Sequence, residues 1–276
     1  MDRIRLIASD MDATLLDEQS QLPADFEETI HALAELGIRF APASGRPLYT
    51  LEAMFPTLQD ELVFIGDNGG AIRWKGQNLF TSEMSPEGWR ALNRLTREQG
   101  DIAVLCGLES AYVERPFAIH DAVLRHFYTK IEYVDRLEDV TAPADKFTIY
   151  LPQHNAQQAY DTVYASQRSI YSVAVAGECW VDIMNPGVHK GAALQTLEQL
   201  WGLPSESIMA FGDTYNDAEM LQTVRYGFLM ENGSEPLRQK VPFLAPSHRE
   251  AGVMQVLHRV LAQNGCVCPE DFVPAH

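Results

Sequence analysis

The fold of this chain is decided by residues 6–16, which read LIASDMDATLL. The apolar run predicts a buried strand from Ile4 to Ala8 that ends at Asp10. Asp10 and Asp12 follow at a spacing of two residues, about 6–7 Å along an extended chain. Open α/β sheets bind ligands outside the carboxyl ends of their strands. The stretch therefore predicts a ligand site at the edge of an α/β sheet.

Two carboxylates this close repel each other unless a cation lies between them. Mg²⁺ is a hard cation that prefers oxygen ligands, and a carboxylate beside it can act as a nucleophile and form an aspartyl-phosphate. The spacing of Asp10 and Asp12 taken alone is equally typical of a solvated acidic turn after a strand. The rest of the chain has to separate these interpretations.

Composition places the chain among ordinary globular proteins. Its 276 residues are 46% hydrophobic and 21% charged, and no apolar run reaches the roughly 18 residues of a membrane span. The formal net charge of −17 argues against nucleic acid and anionic membrane as partners. The first strand begins too early to leave room for a signal peptide, and four scattered cysteines fit a reducing compartment. We therefore expect a cytoplasmic protein, with the oligomeric state open and a monomer as one option.

A second predicted strand, from Ile38 to Ala43, also leads into polar residues. Ser44, Gly45 and Arg46 follow it. A hydroxyl and backbone amides at the end of a strand can bind a phosphate oxygen, although a serine that caps a helix gives the same pattern. Arg46 can reach a phosphate or form an ion pair within the protein.

Three more charged residues stand late in the chain. Lys190 begins a predicted helix, and Asp213 follows a predicted buried strand from Ser207 to Phe211. Asp213 lies next to Asp10 if their two strands are neighbours. Asp217 lies in the first turn of the following helix, where the helix dipole alone favours an acidic residue.

Four segments occur in the order and spacing of a known family: residues 10–15 (DMDATL), 43–47 (ASGRP), 189–191 (HKG) and 212–217 (GDTYND). Together they resemble the four motifs of the haloacid dehalogenase-like phosphatases. They are most similar to the Cof-type branch, which inserts its cap domain between the second and third motifs. One such motif alone is weak, but the ordered set covers nearly the whole chain.

The fold expected from pattern and resemblance is α/β. Residues 1–83 and 185–276 form a Rossmann-like, doubly wound parallel-sheet core, and residues 84–184 form an inserted α+β cap domain that determines substrate specificity. We expect Asn68 and the two glycines after it to form a hairpin turn. Residues after Gly265 are expected to form a loose tail.

The resemblance implies a role for each motif residue. Asp10 would be the nucleophile, Asp12 the general acid and base, and Lys190 the group that offsets the charge of the transferring phosphoryl. To donate a proton at neutral pH, Asp12 must be shielded from solvent. We therefore expect the cap to exclude water from Asp12 when it closes. The Mg²⁺ ligands would be Asp10, the main-chain carbonyl of Asp12, and Asp213. Asp217 would either bind the ion directly or contact one of its ligands. The phosphoryl group would be bound by Ser44, Gly45, Arg46 and Asn216.

Ala13 stands where the family usually has glycine. Alanine fits if the backbone φ there is negative, and we then expect the change to tune the loop rather than abolish activity.

The function that the resemblance implies is a Mg²⁺-dependent phosphatase. It would hydrolyse a small phosphorylated metabolite, such as a sugar phosphate, through an aspartyl-phosphate. A phosphomutase of the same superfamily is one alternative, because it uses the same nucleophile. A non-catalytic phospho-ligand-binding protein is another, suggested by Ala13 alone. The cap residues that are candidates for contacting the substrate are Arg115, His120, His126 and Lys146.

Overall fold

The computed structural model describes residues 1–276, which form two large sheets, a two-stranded ribbon and nine α-helices. The strands are β1 (Asp2–Arg3), β2 (Leu6–Asp10), β3 (Arg39–Ala43), β4 (Val63–Gly66), β5 (Ala71–Trp74), β6 (Gln77–Thr81), β7 (Ile102–Gly107), β8 (Ala111–Glu114), β9 (Ile131–Val134), β10 (Ala144–Tyr150), β11 (Ser172–Val175), β12 (Trp180–Met184), β13 (Ile208–Gly212), β14 (Tyr226–Met230), β15 (Phe243–Ala245), β16 (Cys266–Val267) and β17 (Val273–Pro274). The helices are α1 (Phe26–Glu35), α2 (Leu48–Ala53), α3 (Pro86–Gln99), α4 (Asp121–Phe127), α5 (Ala156–Asp161), α6 (Lys190–Trp201), α7 (Ala218–Thr223), α8 (Glu235–Arg238) and α9 (Gly252–Ala262).

The larger sheet has nine strands in the order β17-β15-β14-β13-β2-β3-β4-β5-β6. The six strands from β15 to β4 are parallel to their neighbours, and antiparallel strands lie at both edges. The chain builds outward from β2 through β3 and β4 on one side, and from β13 through β14 and β15 on the other. This arrangement confirms the doubly wound, parallel-sheet fold. It places the reversal of strand order between β2 and β13, where such sheets bind ligands.

Both faces of this sheet are covered, which explains why its central strands are apolar runs. All five residues of β2 are buried. Ile7 packs into one apolar cluster with α1, α2 and α9, whereas Leu6 and Ala8 pack into a second cluster with α6 and α7 on the opposite face. Side chains alternate between the two faces of a strand, so the sequence of β2 fills both clusters at once.

The second sheet has six strands in the order β11-β12-β10-β7-β8-β9 and lies within the chain between β6 and α6. It falls within residues 84–184, the segment predicted to be the cap; we call this segment the cap and the remaining residues the core. Its pairs are antiparallel except β8 with β9. Helices α3 and α5 pack on one face. The two chain crossings to the core lie side by side, because the Asn185 side-chain amide donates to the carbonyls of Ser82, at 3.3 Å, and Glu83, at 2.8 Å.

The expectation of a loose tail after Gly265 is wrong. Strand β16 pairs with β1, and β17 pairs with β15. The Phe272 ring lies 5.0 Å from the ring of Phe228 and 5.7 Å from that of Phe243. These partners are distant in sequence and leave no local pattern in the eleven residues after Gly265. None of the helices combines the length and apolar character that a bilayer crossing requires.

Candidate active site

Two carboxylates meet because their strands are neighbours. Strands β2 and β13 pair in parallel, with Phe211 opposite Ser9, so Asp10 and Asp213 leave the sheet at the same edge. Asp217 joins them from the turn after β13. Ligand oxygens of these three aspartates lie within 4.8 Å of one another, and all three side chains are buried. The structure thus brings together three of the predicted metal ligands.

Asp217 is held by the turn that precedes it. Its Oδ2 atom accepts hydrogen bonds from the backbone amides of Asp213, at 3.0 Å, and Thr214, at 3.3 Å. A Cβ atom at Gly212 would lie 2.4 Å from the Asp217 Cβ atom, so this approach requires glycine. Asp217 therefore caps the helical turn, as the dipole interpretation expects, and also presents Oδ1 to the site.

Lys190 neutralises part of this acidic cluster. Its fully buried ammonium donates to Asp10 Oδ1 and, at 2.7 Å, to Asp217 Oδ1. Burial alone would lower the pKa of Lys190, but the two carboxylates outweigh it and raise the pKa, so the side chain stays charged. His189 caps helix α6 by accepting the Ala192 amide at Nδ1.

The cluster holds more acidic groups than basic groups. Three carboxyl groups face one ammonium, so their full ionisation would leave two negative charges unbalanced in a buried space. Burial, followed by the charge of Asp217, raises the pKa of Asp10 to about 8 and that of Asp213 to about 6. A divalent cation with a preference for oxygen would remove this imbalance, so these residues fit the predicted Mg²⁺.

Asp12 lies outside the cluster. Its side chain is 55% exposed, and both of its carboxylate oxygens accept from Arg46 Nη2, at 2.9 and 3.1 Å. The predicted ligand atom of Asp12 is its main-chain carbonyl, and that assignment stays a prediction. The exclusion of water expected around Asp12 is not present in this arrangement of cap and core.

The expectation that the backbone φ of Ala13 is negative is wrong. Its φ is +59°, in the left-handed region that favours glycine. The Ala13 carbonyl accepts a hydrogen bond from Asn232 Nδ2 at 2.9 Å, and Asn232 Oδ1 accepts the His248 amide at 3.0 Å. Sequence reasoning missed Asn232; its one signal is an Asn-Gly pair just after the strand β14.

The segment after β3 is held in a narrow turn. Ser44 is buried, and its Oγ atom accepts the Arg46 amide at 3.1 Å. Asn68 lies beside Ser44, because the backbone amide of Asn68 donates to the Ser44 carbonyl at 2.9 Å. The predicted hairpin is confirmed: β4 and β5 pair antiparallel across Asn68 and Gly69, whose φ angles are 55° and 98°.

The structure does not bring every predicted residue to the cluster. Asn216 is exposed, and its Oδ1 atom accepts from Thr214 Oγ1 at 2.6 Å. Arg115 forms an exposed ion pair with Asp135. Of the four cap residues proposed to contact the substrate, Lys146 is the one with a hydrogen bond or ion pair to the core. The rings of His120 and His126 pack against aromatic rings of the cap itself.

Comparison with known proteins points in one direction. The family model for haloacid dehalogenase-like hydrolases matches residues 7–257. The 5-amino-6-(5-phospho-D-ribitylamino)uracil phosphatase of Escherichia coli is 32% identical over 94% of this chain and 96% of its own. The HMP-PP phosphatase of Cronobacter sakazakii is 31% identical over 87% and 89%. A solved structure from Streptococcus mutans superposes with a TM-score of 0.85 at 28% identity, covering 94% of this chain and 99% of the other.

Proposed function

The chain belongs to the haloacid dehalogenase-like hydrolases, and from that premise we propose that it is a Mg²⁺-dependent phosphatase of a small phosphorylated metabolite. The observation that carries the proposal is the buried cluster of Asp10, Asp213 and Asp217 around the single ammonium of Lys190. A solvated acidic turn would not bury three carboxylates beside a lysine. The arrangement suits a nucleophilic carboxylate next to a cation and a phosphoryl group.

Asp10 is the proposed nucleophile. Lys190 holds its Oδ1 atom, and Oδ2 accepts no hydrogen bond from the protein, which leaves that oxygen to attack phosphorus. The new bond joins Asp10 to the phosphoryl group as the ester P–O bond breaks. Asp12 gives its proton to the leaving alkoxide and then takes one from the water that hydrolyses the aspartyl-phosphate. The products are the free alcohol and inorganic phosphate.

The cation would be held by the three clustered aspartates and by the main-chain carbonyl of Asp12. When bound, Mg²⁺ supplies positive charge that stabilises the phosphoryl oxygens in the transition state. Lys190, which contacts Asp10 and Asp217, supplies a second, fixed positive charge. The Ser44 hydroxyl and the backbone amide of Gly45 are proposed to bind the remaining phosphoryl oxygens.

Arg46 is proposed to serve both Asp12 and the substrate. Its guanidinium now holds the Asp12 carboxylate, and a substrate phosphate would compete for the same donors. Binding of substrate would then release Asp12 for proton transfer. Asn216 is retained as a proposed phosphoryl contact, which requires its side chain to turn away from Thr214.

The substrate proposed is a phosphomonoester on the alcohol of a sugar or polyol chain. The support is the E. coli relative, whose name describes a phosphate on a ribityl group. A cytoplasmic location is proposed with it, and the four unpaired cysteines are compatible with that location.

The test is release of phosphate from p-nitrophenyl phosphate and from a panel of sugar, polyol, nucleotide and cofactor phosphates. Each compound is assayed with Mg²⁺ and with EDTA, and Asp10→Asn serves as the matched control. We expect release that requires the metal and is lost in Asp10→Asn. A folded protein that releases no phosphate from any compound, or an Asp10→Asn variant that keeps most of the turnover, would contradict the proposal.

A further inference from the structure

A second buried ionic cluster lies where the cap meets the core. Lys146, on β10 of the cap, is 2% exposed. Its ammonium lies 2.9 Å from Asp67 Oδ1 of the core and 3.6 Å from Asp182 Oδ2 of the cap. The fully buried Asp145 stands beside Lys146 on the same strand. Burying such a group of charges is costly unless their arrangement serves a purpose.

The ammonium of Lys146 is hydrogen-bonded to the core. It donates to the main-chain carbonyl of Gly45, at 2.5 Å, and the two carboxylates lie beside it as ion-pair partners. The expectation that Lys146 faces the substrate is therefore replaced by a contact inside the protein. That contact is with the core segment proposed to bind the phosphoryl group.

Three successive carbonyls of this segment are each held by a donor. Ser44 O accepts the Asn68 amide and Arg46 O accepts the Asp67 amide, both at 2.9 Å. Between them, Gly45 O accepts from Lys146. The amides of Asn68 and Asp67 belong to the core, so these two hydrogen bonds do not depend on the position of the cap. The third donor, Lys146, belongs to the cap.

The Gly45 carbonyl is connected to the Ser44 hydroxyl through a single peptide group. In a trans peptide the C=O and N–H groups point in opposite directions, so Lys146 orients the N–H of Arg46 through the peptide it shares with Gly45. That N–H donates to Ser44 Oγ at 3.1 Å. With a lone pair of Oγ occupied in this way, the hydroxyl hydrogen is left to donate elsewhere.

We propose that Lys146 is a positioning residue of the phosphate site, which aims the Ser44 hydroxyl at the phosphoryl group through the peptide between Gly45 and Arg46. Because Lys146 belongs to the cap, this orientation exists only while the cap is docked on the core. Phosphate binding and cap docking are therefore coupled. The inference rests on the proposed function in one respect, namely that Ser44 binds a phosphoryl group.

A purely structural role is the competing explanation. Lys146 would then only neutralise Asp67 and Asp182, and its loss would lower stability without changing the phosphate site. A role in leaving-group recognition is a third explanation, in which large substrates suffer but inorganic phosphate does not. Binding of inorganic phosphate separates these possibilities, because it needs the segment 44–46 but no leaving group and no turnover.

The experiment measures the Kd of inorganic phosphate, with Mg²⁺ present, by calorimetry on the wild-type protein and on Lys146→Met. We expect binding about tenfold weaker in the variant, since a hydrogen bond from a charged group is worth about that factor or more. Lys130→Met is the matched control, because Lys130 lies on the same cap boundary over the Tyr49 ring, 5.8 Å away, and is exposed. A folded Lys146→Met that binds phosphate within twofold of wild type overturns the proposal.

A charge-balanced variant guards against misfolding. Lys146→Met/Asp67→Asn removes one charge of each sign, so it is expected to recover much of the melting temperature lost in the single variant. Phosphate binding stays weak in it if Lys146 acts on Gly45. Recovery of both the melting temperature and the phosphate Kd assigns a structural role and overturns the proposal.

The wild-type protein supplies a test that needs no variant. Coupling is reciprocal, so saturating phosphate must tighten cap docking. The Thr129 amide of the cap donates to Thr50 Oγ1 of the core at 3.1 Å, and its hydrogen exchange is expected to slow several-fold. Unchanged exchange overturns the coupling. If the wild-type protein binds phosphate but hydrolyses no compound, the proposed function alone is contradicted. If the wild-type protein hydrolyses substrate and Lys146→Met binds phosphate as tightly as the wild type, this inference alone is contradicted.

Discussion

Lys190 donates from the first turn of α6 to Asp10 at the end of β2, a contact between residues separated by 180 positions in the chain. The same ammonium reaches Asp217, so one buried lysine organises two of the three clustered carboxylates. The third, Asp213, forms no hydrogen bond with Lys190, and its charge also raises the pKa of Asp10, by less than the charge of Asp217 does. This relationship leads to the first two predictions.

Lys190→Met should destabilise the protein when no metal is bound. It leaves three buried carboxylates without a positive partner, and breaking a buried ion pair costs about 3 kcal/mol. Urea unfolding in EDTA should show this loss in the free energy of unfolding, and Mg²⁺ should recover part of it. Lys240→Met removes an exposed lysine and is the control. Equal stability of Lys190→Met and Lys240→Met in EDTA would contradict the prediction.

The metal-free protein should become less stable as pH rises from about 5 to 8. Burial and neighbouring charges raise the pKa of Asp10 to about 8 and that of Asp213 to about 6, from an ordinary value of 3.8. A carboxyl group with a raised pKa contributes stability below its unfolded pKa and loses that contribution as pH passes the folded pKa. Melting temperatures in EDTA should therefore fall across this range.

Asp10→Asn is the matched variant for this pH dependence. It removes a charge that is costly without metal, so it should raise the free energy of unfolding at pH 8 in EDTA by about 2 kcal/mol while abolishing turnover. It should also flatten the fall of the melting temperature with pH. A slope identical to that of the wild type would show that Asp10 does not titrate in this range.

Ala13→Gly should stabilise the protein slightly. A non-glycine residue in the left-handed region costs about 1–2 kcal/mol, and the greater freedom of glycine in the unfolded chain offsets part of the gain. We expect a net increase of about 0.5 kcal/mol, measured by urea unfolding, with hydrolysis changed less than about threefold. Ala13→Val should destabilise the protein, since a β-branched side chain fits a positive φ poorly. Greater stability of Ala13→Val than of Ala13→Gly would be the opposite of this expectation.

Arg46→Met should lower activity far more than stability. Its partner Asp12 is more than half exposed, and such ion pairs contribute about 0–1 kcal/mol to folding. Loss of the guanidinium, however, removes the group proposed to hold both Asp12 and the phosphate. We expect kcat/KM for p-nitrophenyl phosphate to fall about tenfold or more at an almost unchanged melting temperature. A fall in melting temperature without a loss of kcat/KM would assign Arg46 to folding.

Much of the core fold could be predicted because its signals are local. The apolar runs that became β2 and β13 are only as long as a strand; β2 ends at Asp10, and Asp213 directly follows β13. A parallel sheet covered on both faces requires such runs. Resemblance in four short motifs then connected these strands to one family, and the order of strands β13-β2-β3 confirmed the sheet that the motifs imply.

Other features gave no local signal. The sign of φ at Ala13 depends on how the turn after β2 is held by Asn232, which lies 219 positions away. The burial of Lys146 depends on Gly45, Asp67 and Asp182, which come from three different elements. A lysine within a strand looks the same in sequence whether it faces water, a substrate or a carbonyl.

By itself, the sequence determined which residues are candidates for the chemistry and which segments would be buried strands, because side-chain type and apolar periodicity are properties of short segments. Only the tertiary structure decided which charges meet. Ion pairs such as Lys190 with Asp10, or Lys146 with Asp67, join chain segments that approach each other when the sheets assemble. Their energies depend on distance and burial in space, which no spacing along the chain records.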